Sequence, residues 1–146
     1  MSKQSIRILL AGLGLAVLSL QGAHAADPDD MIKYRKNVMS ANGGLMGASN
    51  AILLGKVEAK GQLASNAKAL AGLNQDLASM FPKGTNAGDT DALPEVWSKR
   101  AEFERHAKDT QAKADAFAKA ATGKDAAAKF KDLSDSCKSC HKDFRK

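Results

Sequence analysis

Residues 125–145 read DAAAKFKDLSDSCKSCHKDFR, and this stretch decides the fold. Its apolar residues recur every three or four positions, the spacing that places side chains on one face of an α-helix. Alanine favours helix, and Asp125 is a typical N-cap residue. The stretch therefore predicts an amphipathic helix whose apolar stripe consists of Phe130, Leu133, Cys137, Cys140 with His141, and Phe144.

Two cysteines on this stripe stand directly before a histidine, in the order Cys137-Lys138-Ser139-Cys140-His141. Cys-x-x-Cys-His is the attachment pattern of c-type haem. Residues i, i+3 and i+4 of a helix share one face, so two thiols can meet the two vinyl groups of one porphyrin while the imidazole reaches the iron. The motif predicts one covalent haem c, anchored by Cys137 and Cys140, with His141 as an axial ligand.

A cysteine pair can also form a thiol redox motif, a zinc site or a disulfide. A thioredoxin-like redox motif needs a βαβ setting, and no strand pattern surrounds the pair. A zinc site needs about four ligands, whereas the chain after residue 25 has two cysteines and two histidines, His106 and His141. A disulfide between Cys137 and Cys140 remains the alternative in an exported protein.

The first 25 residues have the pattern of a secretory signal peptide. Lys3 and Arg7 precede an apolar run at residues 8–20, and Ala23-His24-Ala25 is a small-x-small cleavage site. An uncleaved membrane anchor is the alternative, but the run is shorter than the ~20 residues that a span requires. We therefore expect residues 1–25 to be removed before Ala26, leaving a single domain at 26–146 in the periplasm.

Three more helices are predicted between the signal peptide and the C-terminal helix, at residues 28–54, 62–80 and about 94–122. Asp27 is a plausible N-cap with Pro28 at the first helical position, while Gly55, Pro82 and Gly123 interrupt the helical patterns. Four amphipathic helices predict an all-α, antiparallel four-helix bundle. Their stripes are rich in alanine and poor in large side chains, so a bulky apolar cofactor would supply the missing buried surface.

The charge of the chain bears on its partners. The formal net charge is +6, and removing Lys3 and Arg7, from a stretch without acidic residues, leaves +4. No basic stripe carries interleaved aromatic residues, which disfavours nucleic-acid binding. The positive charge is best explained as a solvated surface with a mild preference for acidic partners. No nucleophile with a neighbouring base and no recognisable carboxylate pair is present, so the chain is not expected to be an enzyme.

The second axial position of the iron has several candidates. Methionine at helical spacing is usually core filling, and His106, next to Arg105, is expected at the surface. The glycines at 43 and 44 weaken the first helix or allow another backbone to approach it closely. The candidates for the sixth ligand are Met31, Met39, Met46, Met80 and His106.

Further short motifs accompany the C-terminal one: Tyr34-Arg35-Lys36, Gly88-Asp89-Thr90, Leu93-Pro94-Glu95-Val96-Trp97 and Phe144-Arg145. With these, and with a haem motif near the C-terminus, the chain resembles the class II c-type cytochromes, that is, the cytochrome c prime family and its low-spin relatives. The resemblance spans almost all of residues 26–146. It implies the four-helix bundle around one covalent haem, and it suggests a homodimer formed through the first helix.

The resemblance also implies roles for residues around the haem. Arg35 matches an arginine near a haem propionate, although a surface arginine is the alternative. Met39 matches the position on the distal face, where family members carry either a blocking apolar side chain or a ligating methionine. Residues 42–46 contain no large aromatic side chain, which favours the low-spin branch. The haem periphery would include Lys36, Asp89 and Thr90, with Arg145 lining the proximal face.

Three functions follow in order of preference. The first is a periplasmic electron carrier that cycles between Fe(III) and Fe(II), with His141 proximal and Met39 distal, and with periplasmic or membrane redox proteins as partners. The second is a five-coordinate haem protein that binds nitric oxide or carbon monoxide, with Met39 as a lid that does not ligate. The third is a haem-free helical protein with a Cys137–Cys140 disulfide.

Overall fold

A computed structural model describes residues 27–146, and the predicted signal peptide with its cleavage before Ala26 lies outside the described residues. Four long helices form the bundle, and a short helix and a 3₁₀ segment lie in the connections. The elements are α1 Pro28–Leu53, α2 Lys60–Asn74, the 3₁₀ segment Leu77–Met80, α3 Glu95–Ser98, α4 Arg100–Ala120 and α5 Ala126–Phe144. The predicted all-α four-helix bundle is confirmed.

The start of α1 follows from local chemistry. The carboxylate of Asp27 accepts a hydrogen bond from the backbone N–H of Asp29 at 2.8 Å, and Pro28 occupies the first helical turn. Asp29 and Asp30 add negative charge where the helix dipole is positive. The predicted N-cap is therefore confirmed. Gly55, with φ of 66°, closes the helix at its other end.

Two clusters of buried side chains form the core. The first, here called the leucine-rich cluster, contains Ile52, Leu63, Ala67, Leu70, Ala114, Phe117, Ala121, Ala126 and Leu133. The second, here called the aromatic cluster, contains Leu77, Met80, Phe81, Val96, Phe103, Ala107 and Phe144. Cys137 packs against the leucine-rich cluster and Cys140 against the aromatic cluster. The cysteine pair therefore lies where the two halves of the core meet.

The helices do not pack equally closely. α4 packs extensively against both α2 and α5, and α1 packs against α2, but α1 and α5 make few contacts with each other. A bundle whose first and last helices stay apart leaves a space between them. Within residues 27–146, none of the helices combines the length and apolar character needed to cross a bilayer.

The structure corrects two predicted helix boundaries. α2 ends at Asn74 rather than at residue 80, because Asp76 adopts a left-handed conformation with φ of 57° and the chain continues as a 3₁₀ segment. The third predicted helix is divided at Lys99 into α3 and α4. Trp97 ties α3 to the connection that precedes it, because its indole N–H donates a hydrogen bond to the carbonyl of Pro82 at 2.9 Å.

Candidate functional site

A cavity of about 700 Å³ occupies the space between α1 and α5. The α5 wall carries the cysteine–histidine motif, the α1 wall carries methionine, asparagine and arginine, and α2 and α4 close the interior. The α5 residues that line it include Leu133, Ser134, Cys137, Cys140, His141 and Phe144, and the α1 residues are Arg35, Lys36, Met39, Ser40, Asn42, Gly43, Gly44 and Met46. The missing core volume inferred from the sequence is therefore present as one cavity beside the motif.

The two thiols are protonated at neutral pH. Burial raises the pKa of the Cys137 thiol. Burial, together with the nearby charges of Cys137 and Asp143, raises the pKa of Cys140 to about 11. Both cysteines are half-buried free thiols, and the thiolate is the reactive form in thiol redox chemistry. These surroundings do not fit a redox-active cysteine pair.

His141 follows the cysteines on the same helix and lines the same cavity. Its side chain is exposed, but the surrounding protein atoms and the positive charge of Arg145 lower its pKa. The neutral imidazole is the form that ligates a metal. His141 is thus suited to bind iron at neutral pH.

Arg35 is a buried cation on the α1 wall, with only 3% of its surface exposed. Its guanidinium donates to Thr85 Oγ1, to the Thr85 carbonyl and to Thr90 Oγ1, each at 2.7 Å. The same group lies 4.9 Å from the ring centroid of Phe81 and 5.6 Å from that of Trp97. The alternative of a surface arginine is therefore wrong.

The charge of Arg35 has no acidic partner within residues 27–146. All three of its acceptors are neutral oxygens, and burial lowers its pKa. Burying a guanidinium is costly unless an anion lies nearby. Because Arg35 lines the cavity, its charge favours a cofactor with carboxylate groups, and the two propionates of haem supply them.

The remaining predicted peripheral residues lie around the mouth of the cavity. Lys36 lines it and forms an exposed ion pair with Asp89, with Nζ and Oδ2 2.5 Å apart. Thr90 also lines the cavity, whereas Asp89 does not. Arg145 lies at the rim, with a guanidinium nitrogen 3.6 Å from a carboxylate oxygen of Asp91.

The cavity reduces the number of candidates for the sixth ligand. Met39 and Met46 line it, while Met31 and Met80 line a separate cavity of about 260 Å³ together with residues of α1 and α2. His106 lines neither. Only 14% of its side chain is exposed, with Nε2 3.9 Å from Asp143 Oδ2, so the expected surface position is wrong. The ring of Phe144 covers this imidazole, with a centroid distance of 5.5 Å.

Sequence reasoning missed several residues of the cavity wall. Phe81 lies just after the predicted second helix at residues 62–80, and Asn74 and Leu77 lie within it, so none of the three was predicted to line a site. The structure brings all three to the cavity. The one available signal was the position of Asn74, which continues the buried stripe of Leu63, Ala67 and Leu70 at helical spacing.

The residues around the cavity fit a covalently bound haem. They supply two thiols and an imidazole on one helix, apolar and aromatic side chains on several walls, and a buried cation for the carboxylates. The open space at the glycine pair also corrects one expectation. An added Cβ at Gly43 or Gly44 would meet nothing within 4 Å, so these glycines do not allow a close backbone approach.

The chain is similar to known proteins over most of its length. A family model described as Cytochrome C′ matches residues 30–145. The cytochrome c′ of Pararhodospirillum photometricum is 37% identical over 124 residues, which is 82% of this chain and 99% of that protein. The solved cytochrome c prime from Shewanella frigidimarina matches with a TM-score of 0.78 and 29% identity, covering 84% of this chain and 98% of its own. A nitric oxide complex of a point mutant of cytochrome c prime from Alcaligenes xylosoxidans matches with a TM-score of 0.76 and 30% identity, covering 84% and 98%.

Proposed function

Since this chain belongs to the cytochrome c′ family, whose cofactor is covalently bound haem c, we propose that it is an exported monohaem protein that binds a diatomic ligand such as nitric oxide. The single observation that carries this proposal is the cavity between α1 and α5, where the motif on one wall faces Met39 and open space on the other. The family is not one of enzymes, and that agrees with the expectation from the sequence.

The residues in and around the cavity wall have distinct roles in this proposal. Cys137 and Cys140 anchor the cofactor through thioether bonds, and His141 ligates the iron. The bound haem supplies one further coordination position at iron and the Fe(III)/Fe(II) couple. Arg35 holds positive charge near the cofactor carboxylates. Lys36, Thr90 and Arg145 surround the exposed edge, with Asp89 acting through its ion pair with Lys36.

Met39 acts as a lid in this proposal. Its side chain lines the cavity and packs against the aromatic cluster, and methionine is flexible enough to move aside for a small ligand. The stretch after Met39 carries Gly43 and Gly44, which leave space on the same wall. Support for a ligand-binding function also comes from the Alcaligenes relative, which was solved with nitric oxide bound.

Electron transfer, ranked first from the sequence, is the second candidate. Met39 lies on the α1 wall while His141 lies on the α5 wall of the same cavity, so these two residues would be the ones that hold the iron in an electron carrier. A thioether ligand raises the reduction potential, and the partners would be periplasmic or membrane redox proteins. Under either function we propose cleavage before Ala26 and a homodimer through α1.

Visible absorption spectra of the wild type and Met39→Ala distinguish the two functions. We expect a high-spin ferric wild type whose ferrous form binds carbon monoxide and nitric oxide, and faster ligand association in the variant. Met31→Ala, which changes a methionine of α1 that lines the separate, smaller cavity, serves as the matched control and should leave the rates unchanged. If the wild type is low-spin and becomes high-spin only in Met39→Ala, Met39 ligates the iron. That result would contradict the ligand-binding function and support electron transfer.

A further inference from the structure

Two asparagine side chains form a polar pair in the wall of the haem cavity. Asn74 Nδ2 donates to Asn42 Oδ1 at 2.7 Å and to the Leu70 carbonyl at 2.8 Å. Asn42 Nδ2 donates to the Val38 carbonyl at 3.3 Å. Asn74 is only 4% exposed, and both side chains line the cavity. The pair joins α2 to α1 at the point where the two helices meet the cavity.

The hydrogen bonds of this pair are incomplete within residues 27–146. An asparagine side chain has two N–H donors and one carbonyl acceptor. Asn74 uses both donors, but its Oδ1 accepts no hydrogen bond from the described part of the chain. Asn42 uses one donor, and its second N–H has no acceptor there. One donor and one acceptor are therefore left at the cavity wall.

The part of the wall beside this pair is apolar. Leu70 and Leu77 line the cavity beside it, and both are buried members of the core clusters. Buried polar groups in folded proteins are nearly always hydrogen-bonded. An apolar side chain of similar size would avoid the desolvation cost of the amides. The free donor and acceptor therefore point to a small polar occupant of the cavity.

The position of the pair relates it to the ligand side of the site. Asn42 follows Met39 by three residues on α1 and precedes Met46 by four, so the three side chains share one helix face. That face forms the α1 wall, whereas His141 belongs to the α5 wall. The free N–H of Asn42 is thus on the Met39 side of the cavity.

We propose that the Asn42 N–H donates a hydrogen bond to the outer atom of a diatomic ligand, and that Asn74 positions Asn42 for this. This inference rests on the proposed ligand-binding function. A donor at this position favours ligands whose outer atom accepts a hydrogen bond, such as nitric oxide or dioxygen, more than carbon monoxide, whose outer atom is the weaker acceptor. Asn74 acts as a positioning residue because its bond to Asn42 Oδ1 fixes the orientation of that amide.

The test uses the ferrous holoprotein with carbon monoxide as the probe. Asn42→Leu removes the donor at nearly constant size. Asn37→Leu is the matched control because Asn37 is an exposed asparagine of α1 that does not line the cavity. The infrared stretching frequency of the bound probe reports a hydrogen bond directly, and a structural role alone would not shift it. Equilibrium titration with carbon monoxide and with nitric oxide gives the affinities.

We expect Asn42→Leu to raise the C–O stretching frequency and to weaken carbon monoxide binding about two- to tenfold, the effect of one lost hydrogen bond. Nitric oxide binding should weaken by a larger factor. Asn74→Leu should broaden the C–O band, because Asn42 is then free to rotate, and Asn37→Leu should match the wild type. An unchanged frequency in Asn42→Leu would overturn the inference while leaving the ligand-binding function intact.

The Met39→Ala variant provides a second parent protein, in which the hydrogen bond from Asn42 can be tested separately from the proposed ligand-binding function. A wild type that binds no carbon monoxide would refute the proposed function. The comparison would then be made between Met39→Ala and Met39→Ala/Asn42→Leu, in which the lid is removed. A frequency shift between these two would still support the hydrogen bond from Asn42, and equal frequencies would refute it.

Discussion

Replacing Arg35 with methionine removes a buried guanidinium while keeping most of the volume of the side chain. Arg35 is 3% exposed and donates three hydrogen bonds of 2.7 Å to Thr85 and Thr90. Those acceptors lie 50 and 55 residues further along the chain. The side chain therefore fixes the connection between the 3₁₀ segment and α3 to the N-terminal third of α1.

The expected loss of stability follows from these contacts. Three hydrogen bonds at a net ~1 kcal/mol each amount to roughly 3 kcal/mol. The two aromatic contacts, at 4.9 and 5.6 Å, add about 1 kcal/mol. Removing the desolvation cost of a buried cation offsets part of this sum. We expect the holoprotein to lose about 3 kcal/mol, which lowers its Tm by roughly 10 °C.

Urea and thermal unfolding of the holoprotein measure this loss, followed by circular dichroism. Arg35→Lys keeps the charge but not the planar fork of donors, so it should recover only a small part of the loss. Lys36→Met, at the neighbouring and exposed position, is the matched control and should change stability little. An Arg35→Met protein as stable as the wild type would show that the three hydrogen bonds do not hold this connection in place.

Three further predictions concern the fold and its pH dependence. Phe117→Ala should destabilise the protein by about 3–5 kcal/mol, since Phe117 is fully buried in the leucine-rich cluster; a loss below ~1 kcal/mol in urea unfolding would contradict that packing. Asp27→Ala should cost about 1 kcal/mol through loss of the α1 cap, and an unchanged urea midpoint would mean that the cap is not formed. The hydrogen bond from Lys36 lowers the pKa of Asp89 below its ordinary 3.8, so its stabilising effect is present above that pH and is lost as the pH falls through the lower folded value. Wild type and Asp89→Asn should therefore differ by a small amount in urea midpoint at pH 7, and this difference should shrink as the pH falls below 3.8. A difference that does not change with pH would contradict this.

The parts of the fold that depend on helical periodicity could be predicted from the sequence. Helical spacing in the sequence places seven residues of the predicted third helix on one face, and all seven are buried in the structure: Val96, Phe103, Ala107, Thr110, Ala114, Phe117 and Ala121. The period of 3.6 residues predicts which face is apolar. In the structure, α4 packs against both α2 and α5. The cysteine–histidine motif on α5 could be predicted to share one helix face for the same reason, because its residues follow helical spacing.

The parts that depend on contacts between distant segments could not be predicted in this way. The acceptors of Arg35 come from a connection whose course depends on the positive φ angles of Gly84 and Gly88, 86° and 87°. His106 was expected at the surface because histidine is commonly only partly buried and Arg105 precedes it, yet Phe144 on α5 covers its ring. The pairing of Asn42 with Asn74 required knowing how α1 and α2 cross. Each of these features needs the tertiary structure.

The central claim is that haem is bonded covalently to Cys137 and Cys140 of the processed chain, and the intact mass of the exported holoprotein tests it most directly. Our account predicts a polypeptide that begins at Ala26, plus the mass of one haem that acid acetone does not remove and that Cys137→Ser/Cys140→Ser abolishes. A mass equal to that of the polypeptide alone, with no Soret absorption, would contradict the account.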